Sequence, residues 1–192
     1  MTTMMKAIAV VMFATVAGGV AVAAPPAPAA DRTGGLQGDM LGVLGDVEKK
    51  ILSLEEAVPQ NKFDWRPAPG VRSVAEAYLH IAFANYNLTR MATGKTPPAD
   101  TGLTQDRAKW DTQTTDKAKI KTILEKSFAF AHENIRGLSD ADLDKKVEFF
   151  GHQMSARAVL LVLLGHDNEH LGQSIAYARA NKIVPPWSEG KK

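Results

Sequence analysis

The sequence predicts an all-α fold, a four-helix bundle, and three observations carry that prediction. Four long stretches place apolar residues three and four positions apart, the period of a helix buried on one face. No stretch of useful length alternates apolar and polar residues as a half-buried strand does. Segments rich in Pro, Gly and capping residues separate the four stretches, which suits long helices packed around one core.

The N-terminus stands apart from this pattern. Lys6 precedes an apolar run from Ala7 to Val22, and Ala21-Val22-Ala23 has the small-x-small form of a processing site. This is the layout of a secretory signal peptide. As a membrane span the run falls short of the ~20 apolar residues required, and it is rich in Ala and Gly. Residues 1–23 are therefore expected to be an export signal, 24–35 a flexible leader and 36–188 the bundle domain. The mature protein is then periplasmic or extracellular, with no stable membrane association after cleavage. The chain contains no Cys, so disulfides, thiolate ligands and a Cys nucleophile are excluded and any metal must be held by N and O donors. The formal charge is +2, of which Lys6 supplies one. That small excess, with no Lys/Arg stripe, argues against a nucleic-acid partner.

The first helix is read over 36–58, with Leu36, Met40, Val43, Leu44, Val47, Ile51 and Leu54 as its buried stripe and Pro59 as its stop. A Pro- and Gly-containing loop, "PQNKFDWRPAPGVR", follows. The second helix, 73–94, opens on Ser73 with Glu76 three residues on, the spacing of a capping box. Val74, Ala77, Tyr78, Ile81, Ala84 and Leu88 form its stripe, and Gly94, Pro97 and Pro98 end it. The segment 94–113 is the longest link and is long enough for a crossover. In the third helix, 114–137, Thr114 or Thr115 can cap and Asp116 suits the positive end. Its stripe is Ile120, Leu124, Phe128, Ala131 and Ile135, with Gly137 as the residue past its end. Residues 138–154 read as irregular, with one helical turn after Ser139. The fourth helix runs from near Ser155 to about Asn181. Trp65, Trp110 and Trp187 read as core or edge-packing residues.

Five histidines carry the candidate chemistry: His80, His132, His152, His166 and His170. His166 and His170, in "GHDNEHLGQS", lie about 40° apart on one helix face, with Cβ atoms ~5–6 Å apart, close enough to converge on one ion. Gln173 and Tyr177 continue that stripe within about 20° of His166 and are expected to line the same site. A third ligand must come from another helix. His80 is the best candidate, because it flanks the buried face of the second helix between the small residues Ala77 and Ala84, and Asn87 falls in nearly the same direction two turns on. For His132 and His152 a surface placement is favoured. "HDNEH" also matches the inverted zinc-protease motif H-x-x-E-H, in which Glu169 would be a general base. That reading fails on length, since only 22 residues follow His170.

The segments "WRPAPGVRSVAEAYLHIAFAN" (65–85) and "LLGHDNEHLGQSIAYARANKIVPPW" (163–187) resemble the DinB/YfiT-like superfamily of metal-binding four-helix bundles. The resemblance rests on a Trp- and Pro-containing loop, a capped second helix with one His, and a fourth helix with H-x-x-x-H followed by Gly-Gln. It implies that His80, His166 and His170 are a metal triad, and it makes a homodimer an expectation. Some members of that family look like thiol-dependent transferases or isomerases, and many have no known activity. Three histidines leave a coordination position open, the composition of a catalytic more than a structural site. A divalent metal (Zn, Ni or Fe suit imidazole, as does Cu) could then activate water or a thiol, or polarise a carbonyl of a small-molecule substrate. Glu169 points about 60° from His166, so an outer position behind the ligands is expected for it. Two functions stay open: an exported metal-dependent enzyme, hydrolase- or transferase-like, and a non-catalytic bundle in which the metal ties two helices together.

Overall fold

The computed structural model describes residues 34–104, 106–188 and 190. The expected export signal and nearly all of the leader lie outside the described residues. Four long helices make the body: α1 (Leu36–Ala57), α2 (Val74–Thr93), α4 (Lys117–Arg136) and α6 (Ala156–Ala180). Two one-turn helices, α3 (Arg107–Asp111) and α5 (Asp140–Asp144), sit in the links. No described helix is long and apolar enough to cross a membrane.

Both α1 and α2 pack against α4 and α6, so α1 faces α2 across the bundle and α4 faces α6. The link after α2 is a crossover. Trp110 Nε1 donates to the Leu79 carbonyl at 2.7 Å, near the start of α2. Lys117 at the start of α4 donates to the carbonyls of Glu56 and Val58 at the end of α1. The link therefore returns along α2, and α2 and α4 run parallel. At the opposite end Gln37 donates to the carbonyls of Ile135, Arg136 and Leu138, closing the C-terminus of α4.

Local chemistry accounts for the helix ends. Ser73 and Glu76 form the expected capping box on α2, and Gly94 closes it in the left-handed region at φ 72°. On α4 the cap is Asp116, whose carboxylate accepts from the Lys119 amide, not Thr114 or Thr115. A carboxylate there both satisfies a free amide and meets the positive end of the helix. Gly137 follows α4 at φ −79°, so it does not use the left-handed freedom expected of it.

The stripes read from periodicity are buried on α2 and α4. On α1, Met40, Leu44, Val47, Ile51 and Leu54 are buried, but Leu36 and Val43 remain 38% and 46% exposed. These two lie in the first turns of α1, on the rim of the face that α4 and α6 cover.

The segment read as irregular contains α5 and a hairpin, β1 (Lys146–Phe149) paired antiparallel with β2 (His152–Ser155). Phe150 and Gly151 turn the chain with φ of 50° and 86°, the two positive values that a two-residue type I′ turn requires. Four-residue strands with partly exposed faces carry too little alternation to stand out in the sequence.

Candidate metal centre

The loop before α2 is tied down so that His80 is presented rigidly. Trp65 and Phe63 carbonyls accept the amides of Val74 and Ala75. Arg66 grips Glu76 at 2.7 and 3.2 Å, locking the capping box to the loop. His80 then lies on the buried face of α2, towards α6. On α6, His166 and His170 lie one turn apart and face it. One nitrogen from each of the three rings falls within 4.8 Å of the other two. Ring centroids are 5.0 Å apart for His80–His166, 4.8 Å for His80–His170 and 4.3 Å for His166–His170.

A hydrogen bond behind His170 and a carboxylate behind His80 favour which nitrogen of each ring faces the centre. Gln173 Nε2 donates to the Tyr177 hydroxyl at 2.8 Å, and that hydroxyl donates to the Arg72 carbonyl at 3.1 Å. Gln173 Oε1 must then accept, so His170 carries its proton on Nδ1, 2.7 Å away. The lone pair of His170 is left on Nε2. On the other side Asp111 Oδ2 stands 3.5 Å from His80 Nδ1, and Arg72 Nε donates to the same oxygen at 3.1 Å. The carboxylate favours a proton on His80 Nδ1 and frees its Nε2. The Nε2 atoms of His80 and His166 face each other at 3.2 Å. Two nitrogens bound to one tetrahedral ion at ~2.0–2.1 Å would be about 3.3 Å apart.

The electrostatics point the same way. Burial holds the imidazoles of His80, His166 and His170 below the usual histidine range, with His170 lowered to about 4. The Arg72 guanidinium adds to the lowering at all three, while Asp111 opposes it at His80 and Glu169 at His166. Neutral imidazole is the form that ligates. In spacing, protonation and outer partners, the residues present fit a metal ion.

Of the other residues expected at the site, Gln173 and Tyr177 form the relay behind His170. Asn87 lies two turns beyond His80, about 10 Å along the helix axis. Its amide is engaged with the Phe83 carbonyl and Arg90, so direction alone did not bring it to the histidines. Glu169 is exposed and its carboxylate forms no hydrogen bond with a described residue, although its charge reaches His166. His132 is half-buried against Glu48 at 2.8 Å, and His152 is exposed on β2.

Two carboxylates at the site escaped the sequence reading. Asp111 sits on α3 with its side chain only 9% exposed, carried there by the buried Trp110 beside it. Nothing periodic in the link marks it. Asp167 is fully buried next to His166 and had a readable signal, because it continues the stripe Leu160, Leu163, Leu171, Ser174 at spacings of three and four. It faces Asn85, which also meets Ser127 at 3.1 Å. An ionised Asp167 requires the Asn85 nitrogen turned towards it, at 3.1 and 3.2 Å. A protonated Asp167 instead donates to the Asn85 oxygen and leaves Ser127 free to donate to the Leu124 carbonyl at 2.8 Å. Burial pushes Asp167 well above the usual carboxylate range, which favours the protonated arrangement.

Known proteins share this architecture. A DinB-like protein from Bacillus cereus ATCC 10987 is similar over 76% of this chain and 94% of its own, with 21% identity and a TM-score of 0.60. The DinB-like protein YjoA from Bacillus subtilis is similar over 76% and 93%, with 19% identity and a TM-score of 0.57. At these identities the likeness establishes the fold alone. No curated protein matches the chain. The family model described as the DinB superfamily matches residues 44–174, a span that holds all three converging histidines and most of the bundle that positions them. The chain belongs to the DinB superfamily.

Proposed function

We propose that this protein is a metal-dependent enzyme acting on a small molecule, with His80, His166 and His170 as the metal ligands. The observation that carries this reading is the convergence of three neutral imidazoles within 4.8 Å, two of them held from behind by Asp111 and Gln173. Three protein donors leave a place for substrate. A divalent transition ion held there, Zn, Ni or Fe by donor type, would supply Lewis acidity towards a substrate oxygen or sulfur, as a hydrolase- or thiol-transferase-like reaction needs. The chain's own residues orient and exclude. Asp111 and the Gln173–Tyr177 relay hold two imidazoles in one tautomer. Phe83 lies against His80 at a ring distance of 6.4 Å, and Trp65 meets Tyr177 edge-on at 5.5 Å, giving apolar walls that limit water. Glu169, exposed beside the ligands, is the group assigned to proton exchange, and Glu169→Gln tests that role through the pH–rate profile.

The experiment is elemental analysis of purified protein beside the His80→Ala and His166→Ala variants, followed by turnover assays on ester, amide and thiol-transfer substrates. One equivalent of metal in the parent and none in the variants is expected. Equal content in all three would sink the triad. The second reading, a non-catalytic bundle in which the ion ties α2 to α6, draws support from the ligands coming from two packed helices; it predicts metal content without turnover on any substrate. Export is proposed from residues 1–23, and fractionation of cells expressing the full chain checks it. A homodimer is also proposed, and light scattering giving a monomer mass would refute it.

A further inference from the structure

Both chains of polar partners behind the histidines, one starting with a close carboxylate contact and one made of hydrogen bonds, end on one residue. From His80 the path runs through Asp111 Oδ2, at 3.5 Å, to the Arg72 Nε, 3.1 Å further. From His170 it runs through Gln173 and the Tyr177 hydroxyl to the Arg72 carbonyl. Arg72 is the residue before the Ser73 cap of α2, so its backbone is held by the capping box and its side chain by Asp111.

Asp111 takes only Nε. The Nη1–Nη2 edge of the guanidinium forms no hydrogen bond with a described residue, and the side chain is 28% exposed. A guanidinium pinned at Nε, with its terminal edge free, is pre-organised to take a carboxylate or phosphate through two parallel hydrogen bonds. The charge balance favours such a group. Imidazole ligands bind a metal in their neutral form, so three of them do not cancel the charge of a divalent ion. The carboxylates near the histidines are Asp111, which Arg72 offsets, the exposed Glu169, and the buried Asp167, 3.8 Å from His166 Nδ1 and facing Asn85.

We propose that Arg72 is the substrate-recognition residue of the metal centre, and that the substrate is a small molecule bearing an oxyanion, a carboxylate or a phosphate group, which docks on the free Nη edge. This inference rests on the metal-centre reading above. It assigns to Arg72 the anionic part of the substrate and to the ion a second atom of the same molecule. An arginine placed there only to orient Asp111 would need no free donor edge.

The test uses the full chain loaded with cobalt(II), whose visible spectrum reports ligands entering the centre. Acetate, inorganic phosphate and neutral imidazole are titrated into the parent, Arg72→Gln and Arg72→Lys. Arg72→Gln is expected to weaken acetate or phosphate binding by about tenfold or more, the effect of losing a charged hydrogen bond, and to leave imidazole binding unchanged. Arg72→Lys keeps the charge but not the fork, so an intermediate affinity is expected. Loss confined to acetate or to phosphate identifies which oxyanion the site is built for. Equal anion affinity in the parent and Arg72→Gln, or no anion binding by the parent, overturns the inference while leaving the metal centre standing. Failure of the parent to take up cobalt overturns the metal centre, and this inference with it.

Discussion

Two buried polar clusters lie close together on α2 and α6. One is His80, His166 and His170; the other is Tyr78 and Ser174 on the same helices with Glu55 from α1. Behind His80 and His170, polar partners run outward until they reach a carboxylate, an arginine or a backbone carbonyl, although Nδ1 of His80 and of His166 and Oδ1 of Asp111 are themselves buried without a hydrogen bond. In the second cluster both oxygens of Glu55 are buried without a hydrogen-bond partner, and the Tyr78 and Ser174 hydroxyls lie near each other without a well-formed bond. The difference shows how a buried group's protonation reflects its neighbours. The imidazoles stay neutral with lone pairs directed inward. Glu55, lacking partners, lowers the cost of burial by holding a proton. Its pKa is raised to about 7, by burial first, with Lys117 and Lys121 opposing and Glu56 and Glu125 reinforcing.

Removing a ligand breaks the first cluster outright. His80→Ala should weaken metal binding by at least about hundredfold, read by competition with a chromogenic chelator.

The second cluster is sharpened by pH. The unfolded chain loses the Glu55 proton near 4.5 and the folded protein near 7, so between these values the unfolded state binds fewer protons and Glu55 makes stability fall as pH rises. The histidines act oppositely. Below 6.5 the unfolded chain takes up protons that the folded protein refuses, down to about 4 at His170, so stability of the metal-free protein falls as pH falls. Glu55→Gln should therefore stabilise the metal-free protein by about 2 kcal/mol at pH 8 and by almost nothing at pH 4. Urea unfolding of parent and variant across that range would then show a gain that grows with pH, and a gain independent of pH would refute the assignment.

A smaller effect tests whether partners behind the ligands matter. Asp111→Ala should cost about tenfold in metal affinity, in line with the loss of an outer partner, while Glu169→Gln should leave metal content unchanged. Metal titrations that rank the two the other way would return the outer role to Glu169. Far from both clusters, Gly151→Ala should lower stability by about 1 kcal/mol through its positive φ alone and leave metal affinity untouched, which thermal denaturation and the same titration would check.

Much of this was legible before the structure. The stripes of α2 and α4 emerged from a period of three and four because a helix buried on one face must repeat that way. His166 and His170 emerged because a spacing of four brings two side chains together on any helix. Leu36 and Val43 misled, because they share the period of the α1 stripe but lie at its rim, where the neighbouring helices do not cover them. The hairpin at Lys146–Ser155 was missed because its strands are short, and Asp167 was missed although it sits in line with the buried leucines of α6.

The sequence by itself determined the four long helices, the buried faces of α2 and α4 and most of that of α1, the capping box on α2 and the three histidines that converge. Only the tertiary structure decided that the link after α2 runs back along it, making α2 and α4 parallel and carrying Trp110 and Asp111 to the start of α2. It also decided that Arg72, a loop residue with no periodicity to mark it, receives both chains of partners from the histidines. The reason is physical. Periodicity records which face of a helix leaves water, a local property of three or four residues. The contacts of Asp111 with Arg72, 39 residues apart in the chain, and of Tyr177 with Arg72, 105 residues apart, are set by the path of the chain through space.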